Sequence, residues 1–545
     1  NELARIANAI QTVAAGGTPS PALTDIDLAK VGLSGVTADN LAAVQAAIAA
    51  KNDNGTETDS LAELQAIVTG VNAAIAGALA DLSAFAAANT TGLANATGTL
   101  PDLAKYQSAG IANVNANNLG AINDALASNY VDAAHTATAA DIQTVVDAYN
   151  RVIAAADGSD ANTTGAAIPS PSDYTAIGVT GVTPDIGALL SDVIDSKTLA
   201  DIDTVQEIQN LTAAAQATLA YNGSNTAPTD SQLNALAGGT GVNADNLAAV
   251  LAAVAAANTN TTGAGANALV TQAELQAIIS GINGALDSIV QAAQNNTASS
   301  STPSLATYQT AGVVGVTSGN LPLVNDMLNT AAVNGAAVNT AAEIKQLVDA
   351  VTRVQAMANG TVDGAPTLDA TDLGALGLAG VINTTPDTTL FNQVLDQAAA
   401  ANADSAADIL ALASVVDRIQ QTALDATPAA PVTAAELTSL GLLRAVAGNE
   451  AAYRTAIAAT ANTGLAADQL SELQALVDAV NWAQSAGATT LAEATNGVNA
   501  AELASGGGIQ TTIALPYGAV AGDTITLSVK NTDTNTTQQV TYTVL

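Results

Sequence analysis

Carboxylates that recur at a regular spacing are the side chains of this sequence best placed to do chemistry. Acidic side chains can act as general acids and bases when burial or a neighbouring charge shifts their pKa. Six of the seven recurring carboxylates, however, have Ser or Thr three residues earlier, which is the spacing of a helix capping box. The sequence therefore predicts helix starts at these positions and no catalytic residue. Each of the seven is followed by Leu or Ile, at intervals of about 64 to 78 residues: Glu63, Asp141, Glu207, Glu274, Glu343, Asp408 and Glu472.

The other residue types that carry catalysis or hold metals are scarce. The chain has one histidine, His135, no cysteine and two methionines, which removes thiol nucleophiles and nearly all imidazole bases and soft metal ligands. A lone histidine lacks the partners of a catalytic triad or a zinc site. The sequence predicts that His135 lies on the surface, that the protein is not an enzyme, and that it has no cofactor-binding or metal-binding residues.

One segment near the C-terminus has the oxygen spacing of a calcium-binding loop. Asn531, Asp533 and Asn535 alternate with threonines, as the ligands do at the start of an EF-hand loop. The glycine at the sixth position and the closing glutamate of such a loop are missing, so a β-turn is the favoured interpretation. Calcium is thus left open as a cofactor, with no motif to support it.

Composition excludes several classes of protein. The formal net charge is -36, from 12 Lys and Arg against 48 Asp and Glu. Such a chain repels polyanions and lacks the clustered cations that bind phosphates, which excludes nucleic acid as a partner. A long chain without cysteine is typical of proteins exposed outside the cell. The longest apolar run, 247–257, is shorter than the roughly 18 residues that cross a bilayer, so no transmembrane span is predicted.

The recurring carboxylates open helices with one apolar face. In the helix after Glu274, apolar residues including Ile278 and Ile279 recur at helical spacing, and Ile278 is placed at the centre of that face. A similar helix runs from Glu2 to Val13. Three arginines share a column late in these helices, where a cation favours the negative end of the helix dipole, and a structural role is expected for them: Arg151, Arg353 and Arg418.

Two further helices precede each of these. The middle one follows Gly-Val-Thr or Gly-Val-Asn and is predicted to start at a polar cap. The first one is short and is predicted to end at a glycine in the left-handed conformation. Three helices make a minimal bundle that packs on its neighbours, whether as separate beads or as a continuous solenoid. The predicted caps are Thr37, Thr183, Asn243 and Thr317, and the predicted closing glycines are Gly110, Gly178, Gly312 and Gly441.

The predicted fold class is mainly α, a tandem array of small three-helix repeats followed by a short, incomplete Ig-like β segment. Segments rich in Asn, Thr, Ser and Gly, such as 89–98, are predicted to be exposed connectors. The predicted domains are a partial repeat at 1–15, seven helical repeats at 20–82, 99–157, 168–222, 226–293, 302–359, 366–426 and 430–503, and a partial Ig-like segment at 508–545.

From Ile509 onward apolar residues alternate with polar ones, which predicts three β-strands, near 509–515, 525–529 and 540–544. This is too little for an isolated β-sandwich, which takes about seven strands. The first residues likewise match only the last helix of a repeat. We expect both ends to be completed by a longer chain or by neighbouring copies.

Two stretches resemble known surface proteins. Residues 33–41, Leu-Ser-Gly-Val-Thr-Ala-Asp-Asn-Leu, and residues 61–68, Leu-Ala-Glu-Leu-Gln-Ala-Ile-Val, resemble the helical repeats of very large bacterial surface adhesins. Residues 515–527 are similar to a strand pair of bacterial Ig-like adhesin modules. The resemblance covers nearly the whole chain and implies a cell-surface, biofilm or sheath role, without catalytic or binding residues. The chain departs from such adhesins in lacking their calcium-binding nonapeptides.

The leading hypothesis is an extracellular structural protein of the bacterial cell surface. It would be a stalk segment of a repetitive adhesin, or a subunit of a polymeric filament, sheath or surface layer, and its partners would be further copies or neighbouring modules of a longer chain. The alternative is a helical-repeat binding module that recognises a glycan or a protein. Trp482 is the only tryptophan and there are nine tyrosines, which limits stacking on sugars.

Overall fold

The computed structural model is mainly helical, as the sequence predicts, and ends in a short antiparallel β part. The chain divides into two compact units, residues 1–281 and 282–545. The structure describes residues 2–51, 57–159, 168–259, 269, 271–295, 302–362, 366–424, 428, 430–460, 463–485, 490–491, 511–512, 515, 519–531 and 535–545.

In the first unit, helix α1 is followed by groups of one short, one intermediate and one longer helix. We call each group a triplet and its members the first, middle and third helix. After α1 (Glu2–Ala14) come triplet 1, α2 (Asp25–Lys30), α3 (Leu41–Ala49) and α4 (Leu61–Ala88); triplet 2, α5 (Leu103–Ser108), α6 (Leu119–Leu126) and α7 (Ala139–Ala155); triplet 3, α8 (Pro171–Ala176), α9 (Pro184–Asp195) and α10 (Val205–Ala220); and triplet 4, α11 (Asp230–Ala237), α12 (Leu247–Thr259) and α13 (Gln272–Asn295), whose end belongs to the second unit.

The second unit continues with the same order of helix lengths and then changes to β structure. Its helices are triplet 5, α14 (Leu305–Thr310), α15 (Leu321–Leu328) and α16 (Ala341–Met357); triplet 6, α17 (Ala370–Ala375), α18 (Thr385–Gln397) and α19 (Ala406–Ala423); and triplet 7, α20 (Ala434–Ser439), α21 (Glu450–Ala458) and α22 (Leu470–Ser485).

The β part contains two antiparallel pairs. Strand β1 (Thr490–Leu491) pairs with β2 (Thr511–Thr512), and β3 (Thr524–Asn531) pairs with β4 (Thr536–Thr543). The second and third predicted strands correspond to β3 and β4. Most of the first one lies outside the described residues, and its described part, β2, pairs with a strand that the sequence did not predict.

The third helices begin where their capping residues predict. In each box the hydroxyl accepts the N–H three residues later, while the carboxylate accepts the N–H of the capping residue. At Ser405 the structure shows the hydroxyl accepting from Asp408 N–H but not the reciprocal backbone bond, and Gln469 stands where the seventh hydroxyl would be. Reciprocal boxes form at Ser60, Thr138, Thr204, Thr271 and Thr340.

The predicted middle-helix caps are correct at Thr183 and wrong elsewhere. Helix α3 begins four residues after Thr37, at Leu41. The side-chain oxygen of Asn40 accepts Thr37 N–H at 2.7 Å, and its amide donates to Gly35 O at 2.8 Å, so a polar turn precedes the helix. The same asparagine turn displaces the starts predicted at Asn243 and Thr317, to Leu247 and Leu321.

The glycines that close the first helices are confirmed. Gly110, Gly178, Gly312 and Gly441 have φ of 78°, 100°, 76° and 92°. This left-handed conformation costs glycine nothing extra but disfavours residues with a Cβ.

Aliphatic residues with buried tyrosines make up the core. In the first unit, α1 packs on triplet 1, and its Ile6 shares a cluster with Leu28, Ile48 and Val68, all with no exposed area. Five tyrosines are among the largest buried side chains: Tyr106, Tyr149, Tyr174, Tyr308 and Tyr453. The sequence placed the centre of the apolar face of α13 at Ile278, one residue too early. In the structure Ile279 is buried and Ile278 is only half-buried.

The segment 89–98 is exposed over most of its length, as predicted, but it is anchored at its first residue. Asn89 is 4 % exposed, its amide donates to Phe85 O at 2.9 Å, and its oxygen accepts Thr97 N–H at 2.6 Å. An asparagine side chain can replace backbone partners within a turn in this way.

Helix α4 is, among the described helices, the one long and apolar enough to span a bilayer by length and composition. The sequence predicted none, since its apolar stretches are interrupted by polar residues. In the structure α4 packs against α3 and α5, Lys105 reaches its Asp81 at 2.5 Å, and Asn72 donates to Gly35 O at 2.8 Å. These contacts are those of a helix packed within a helical protein.

Candidate functional site

The residues singled out for possible chemistry stand apart from one another. His135 Nδ1 lies 2.8 Å from Asp132 Oδ1, with the Tyr130 ring centroid 4.7 Å away, and both side chains of the His–Asp pair are largely exposed. Among the described residues there is no group of three His, Cys, Asp or Glu side chains that could hold a metal. Of the possible calcium loop, 532–534 lie outside the described residues; Asn531 pairs with Thr536 across the hairpin, and Asn535 has a φ of 54°.

Polar contacts between helices are concentrated at the junctions between successive triplets. The third helix of one triplet packs against the first helix of the next at the junctions of triplets 1 and 2, 2 and 3, 3 and 4, 5 and 6, and 6 and 7. Three types of polar contact recur there: an ion pair between those two helices, a side-chain cap on the next third helix, and a bond to the segment that leads into that third helix. We treat this surface as the candidate site because its geometry is repeated.

The ion pair joins an arginine of the third helix to the capping carboxylate of the next first helix. Arg151 bonds Asp173 through both Nε and Nη2, and Asp173 also completes the capping box of Ser170. The sequence assigned these arginines to the helix dipole, but the structure shows them bridging two triplets. Equivalent pairs join Arg5 to Asp27 at 2.6 Å, Arg353 to Asp372, and Arg418 to Glu436 at 2.5 Å.

Electrostatics favours the charged state of these carboxyls. Burial raises the pKa of Asp173, but the bonds from Arg151 and Ser170 outweigh burial and leave that pKa below its usual value. The pKa of Asp27 and that of Glu436 are lowered by the same balance. A junction of this type is therefore held together best when its carboxylate is ionised.

The second contact caps the next third helix from the side. The two oxygens of Asp124 in α6 accept Val205 N–H at 2.7 Å and Leu93 N–H at 2.6 Å, and Asp124 itself is 3 % exposed. A carboxylate at a helix N-terminus also faces the positive end of the dipole. The equivalent acceptors, with their donors, are Asp192 with Gln272, Asp326 with Ala406, and Gln393 with Leu470, at 2.6, 2.5 and 2.9 Å.

The third contact uses a buried position that the sequence analysis missed. Five residues before each recurring acid lies a side chain that is at most 2 % exposed: Thr58, Thr136, Ile202, Leu269, Val338, Ala403 and Ala467. The preceding helix bonds to this position in several triplets. Tyr149 Oη donates to Ile202 O at 2.9 Å, and Gln420 donates to Ala467 O at 2.7 Å. These seven residues share only their position relative to the recurring acid, since Thr, Ala, Ile, Leu and Val all occur there.

Amide side chains fix the helices within a triplet. Gln143 holds both backbone groups of Ala112, with its oxygen 2.8 Å from Ala112 N and its nitrogen 3.2 Å from Ala112 O. Asn118 donates to Asn150 Oδ1 at 2.7 Å. The glutamine clamp returns at Gln65, Gln209 and Gln474, and the 32-residue asparagine bridge at Asn40 with Asn72, Asn320 with Thr352, and Asn449 with Asn481.

Some contacts recur at a longer interval. Tyr106 Oη donates to Asn123 Oδ1 at 2.6 Å, and Tyr308 Oη, 202 residues later, donates to Asn325 Oδ1 at 2.7 Å. The capping residue Asp124 likewise has its counterpart in Asp326, 202 residues on. Arg151 and Arg353 are separated by the same interval. Triplets 2 and 5 therefore share all three of these contacts at one spacing.

Pairs of carboxyls face each other just before some third helices. A hydrogen bond with Glu63 raises the pKa of Asp59. Burial, followed by the charge of Glu207 and a hydrogen bond with it, raises the pKa of Asp203. Perturbed carboxyls are candidates for function, but here each sits against a capping carboxylate at a helix start.

One cavity of about 810 Å³ lies beside α17 and α18. Its walls combine apolar side chains, such as Leu373 and Ile382, with hydroxyls and amides, such as Thr388 and Asn383. Asp396 also lines it, and one of that residue's buried oxygens has no hydrogen-bond partner in the part of the chain that the structure describes. The lining can accept and donate hydrogen bonds but contains no positive charge.

The β3–β4 hairpin has one apolar face. Ile525 lies opposite Tyr542 and Leu527 opposite Val540, so these side chains share a face of the pleat. Val540 and Tyr542 are 60 % and 57 % exposed. The hairpin therefore presents an uncovered apolar surface among the described residues.

Comparisons with protein-family models, curated proteins and solved structures found no match to this chain.

Proposed function

We propose that this chain is a tandem array of three-helix modules and that it serves as an extracellular structural protein of the bacterial cell surface. The observation that carries the proposal is the recurrence of the same junction contacts. Arg5–Asp27, Arg151–Asp173 and Arg418–Glu436 play one role at three places along the chain. Repeat proteins are stabilised in this way, by interfaces between neighbours rather than by one central core.

The modules are of three kinds that alternate in a fixed order. Triplets 2 and 5 share the Tyr106-type bond and the Asp124-type cap at a spacing of 202 residues. Triplets 3 and 6 differ from the others at the start of the middle helix, where a capping threonine, Thr183 or Thr384, is followed by a proline in the first turn. Triplets 1, 2, 4, 5 and 7 have an asparagine there. The structural period of the proposed array is then three modules.

A surface role suits the chemistry of the chain. A net charge of -36 keeps copies soluble, and the absence of cysteine avoids oxidation outside the cell. Most polar groups at the junctions are engaged in bonds that hold modules together, as a structural element requires. The protein would be a stalk segment of a repetitive adhesin, or a subunit of a filament, sheath or surface layer, with the hairpin as part of an Ig-like module.

Electron microscopy and labelling of whole cells test this function. We expect antibodies against the chain to label the outer surface of intact cells that make it, and purified material to form elongated particles. Ordered fibres or lattices would identify a polymer subunit, and single flexible threads a stalk. Label confined to the cytoplasm would contradict the surface role, and compact round particles would contradict the array.

The cavity beside α17 and α18 supports a second candidate function, a binding module for a neutral, hydroxyl-rich ligand such as a glycan. Hydroxyls and amides at its wall can bond sugar hydroxyls. Adding soluble glycans to the full chain should then shift the amide NMR signals of Thr388 and Asn383, and Thr388→Val should weaken the effect. Unchanged signals at millimolar glycan would exclude this role.

A further inference from the structure

The cavity beside α17 and α18 opens where a similar triplet is closed. In triplet 3, a Cβ at Gly187 would lie 3.3 Å from the ring of Pro171 and 3.4 Å from Val182. Triplet 6 has an open space of about 810 Å³ where triplet 3 packs a proline ring against its middle helix. The residues of triplet 6 that match those three, counted from the capping residues, all line the cavity: Ala370, Asn383 and Thr388.

The polar part of the lining follows one face of α18. Its residues recur three and four positions apart, which places them in a row along the helix. Between Thr384 and Asp396 this row is about 18 Å long. Apolar side chains, among them Leu373 and Ile382, complete the lining. An elongated ligand with polar groups along its length therefore fits the cavity. The row consists of Thr385, Thr388, Thr389, Asn392, Gln393 and Asp396.

Two hydroxyls in the row can only accept further hydrogen bonds. Thr388 Oγ1 donates to Thr384 O at 3.0 Å. Thr389 Oγ1 donates in the same way to Thr385 O, at 2.8 Å. Because a hydroxyl has one proton, both oxygens have only lone pairs left to offer. A ligand that lies along the row must therefore bring donors with it.

Asp396, at one end of the row, gives the cavity a negative charge. Its Oδ1 is buried and has no hydrogen-bond partner in the part of the chain that the structure describes. Among the described residues, no cation lines the cavity. A buried carboxylate oxygen without a partner costs free energy, so a ligand that brings a positive charge and N–H donors to this end is favoured.

We propose that this cavity binds an oligosaccharide of amino sugars whose amines are not acetylated. One ammonium group donates to Asp396, and sugar hydroxyls donate to the oxygens of Thr388 and Thr389. A polyamine or a lysine side chain would place methylene groups against those threonines and leave their lone pairs unused. The inference rests on the second candidate function and changes its ligand from neutral to cationic, because a neutral glycan leaves the charge of Asp396 without a partner.

Isothermal titration calorimetry of the full chain with a trimer of β-linked glucosamine tests the proposal, at about pH 6 so that the amines are protonated. Asp396→Asn should weaken binding about tenfold or more, as expected for the loss of a charged hydrogen bond. The N-acetylated trimer, which has the same sugar rings without the charge, should bind more weakly by a similar factor. Asp404→Asn is the matched control, since it removes the same charge from an exposed position of triplet 6 that does not line the cavity. It should change binding less than about twofold.

A second variant closes the cavity and leaves Asp396 in place. Ala370 is the first residue of α17, where proline is tolerated. Asp369 before it has the extended backbone that a following proline requires, with a ψ of -177°. Ala370→Pro thus copies Pro171 of triplet 3, and it should abolish binding while the helical content measured by circular dichroism stays unchanged.

The outcomes separate the ligand from the site. Equal binding of the two trimers, lost only with Ala370→Pro, would overturn the cationic ligand and keep the cavity as a site for neutral glycans. No binding of either trimer would overturn both. An equal loss with Asp404→Asn would attribute the affinity to the net charge of the chain, and spermidine that binds as tightly as the glucosamine trimer would assign the cavity to polyamines. Either of these results also overturns the proposal.

Discussion

At the scale of single residues, the recurring carboxylates act in helix starts. Their Ser/Thr spacing predicted the capping role, and the structure confirms it at most sites. What the sequence could not show is which carboxylate each arginine of the third helices binds. Arg151 lies 22 residues from Asp173, so its choice of that carboxylate over the nearby helix carbonyls depends on how two triplets pack.

The Arg151–Asp173 bond should make the stability of its junction depend on pH. Because the pKa of Asp173 is lowered in the folded state, its contribution is present above the unfolded pKa of about 4 and is lost as the pH falls through the folded value. Asp173→Asn should therefore lower the free energy of unfolding by about 1 to 2 kcal/mol at pH 7. Urea denaturation at several pH values measures this difference.

The difference between the two proteins should shrink steadily below about pH 4. Arg151→Met in the Asp173→Asn background completes a double-mutant cycle. A difference that stays constant from pH 7 to pH 2 would show that ionisation of Asp173 is not what stabilises the junction.

At the scale of elements, the helices were predictable and their exact starts were less so. Reciprocal capping boxes, periodic apolar residues and closing glycines are local signals, so they survive in any tertiary context. The middle helix α3 starts four residues after its predicted cap, Thr37, because Asn40 forms a turn with Thr37 and Gly35. Turns made by side chains leave little periodic signal in the sequence.

The closing glycines allow the cost of the left-handed backbone conformation to be separated from the cost of a steric clash. Gly110 and Gly178 are both left-handed, with φ of 78° and 100°, but a Cβ at Gly110 would meet nothing within 4 Å, whereas one at Gly178 would lie 2.3 Å from Ser128 Oγ. Gly110→Ala should cost about 1 to 2 kcal/mol from conformation alone. Gly178→Ala should cost about 1 to 3 kcal/mol more, from the added clash.

Chemical denaturation of the two variants gives both values. Equal losses would mean that Ser128 moves freely and that the contact between triplets 2 and 3 at Gly178 is loose.

The apolar face of α13 allows a test of side-chain burial. Ile279 is 5 % exposed and Ile278 is half-buried. Ile279→Ala should cost about 2 to 4 kcal/mol through lost burial and a cavity, and Ile278→Ala about 1 kcal/mol. Thermal or urea unfolding of both variants measures the contrast, and a larger loss at Ile278 would place the face where the sequence alone put it.

At the scale of the whole molecule, the sequence predicted the mainly helical class and the change to β structure, but not the architecture of the junctions. The contacts that join triplets connect residues about 80 apart, as between Asp124 and Val205, and the buried position at Thr58 and its counterparts varies freely in residue type. Neither leaves a motif in one sequence. The 202-residue interval became visible only once equivalent bonds could be compared.

The central claim is that the chain is an array whose members are stabilised by their neighbours. Asp124 is the most direct place to test it, since it caps Val205 and Leu93 from a nearly buried position. Asp124→Ala removes the acceptor of two N–H groups and should destabilise that junction by about 2 to 4 kcal/mol. Asp185→Ala, on the exposed first turn of α9, is the matched control and should change stability by less than about 1 kcal/mol.

Hydrogen exchange measured by mass spectrometry on the full chain carrying Asp124→Ala decides the question. In an array, the loss of protection should be confined to triplets 2 and 3, roughly residues 93–220, with the other triplets exchanging as in the unaltered protein. A loss of protection spread evenly over residues 2–485 would contradict the account, because it would mean that the helices unfold as one cooperative core.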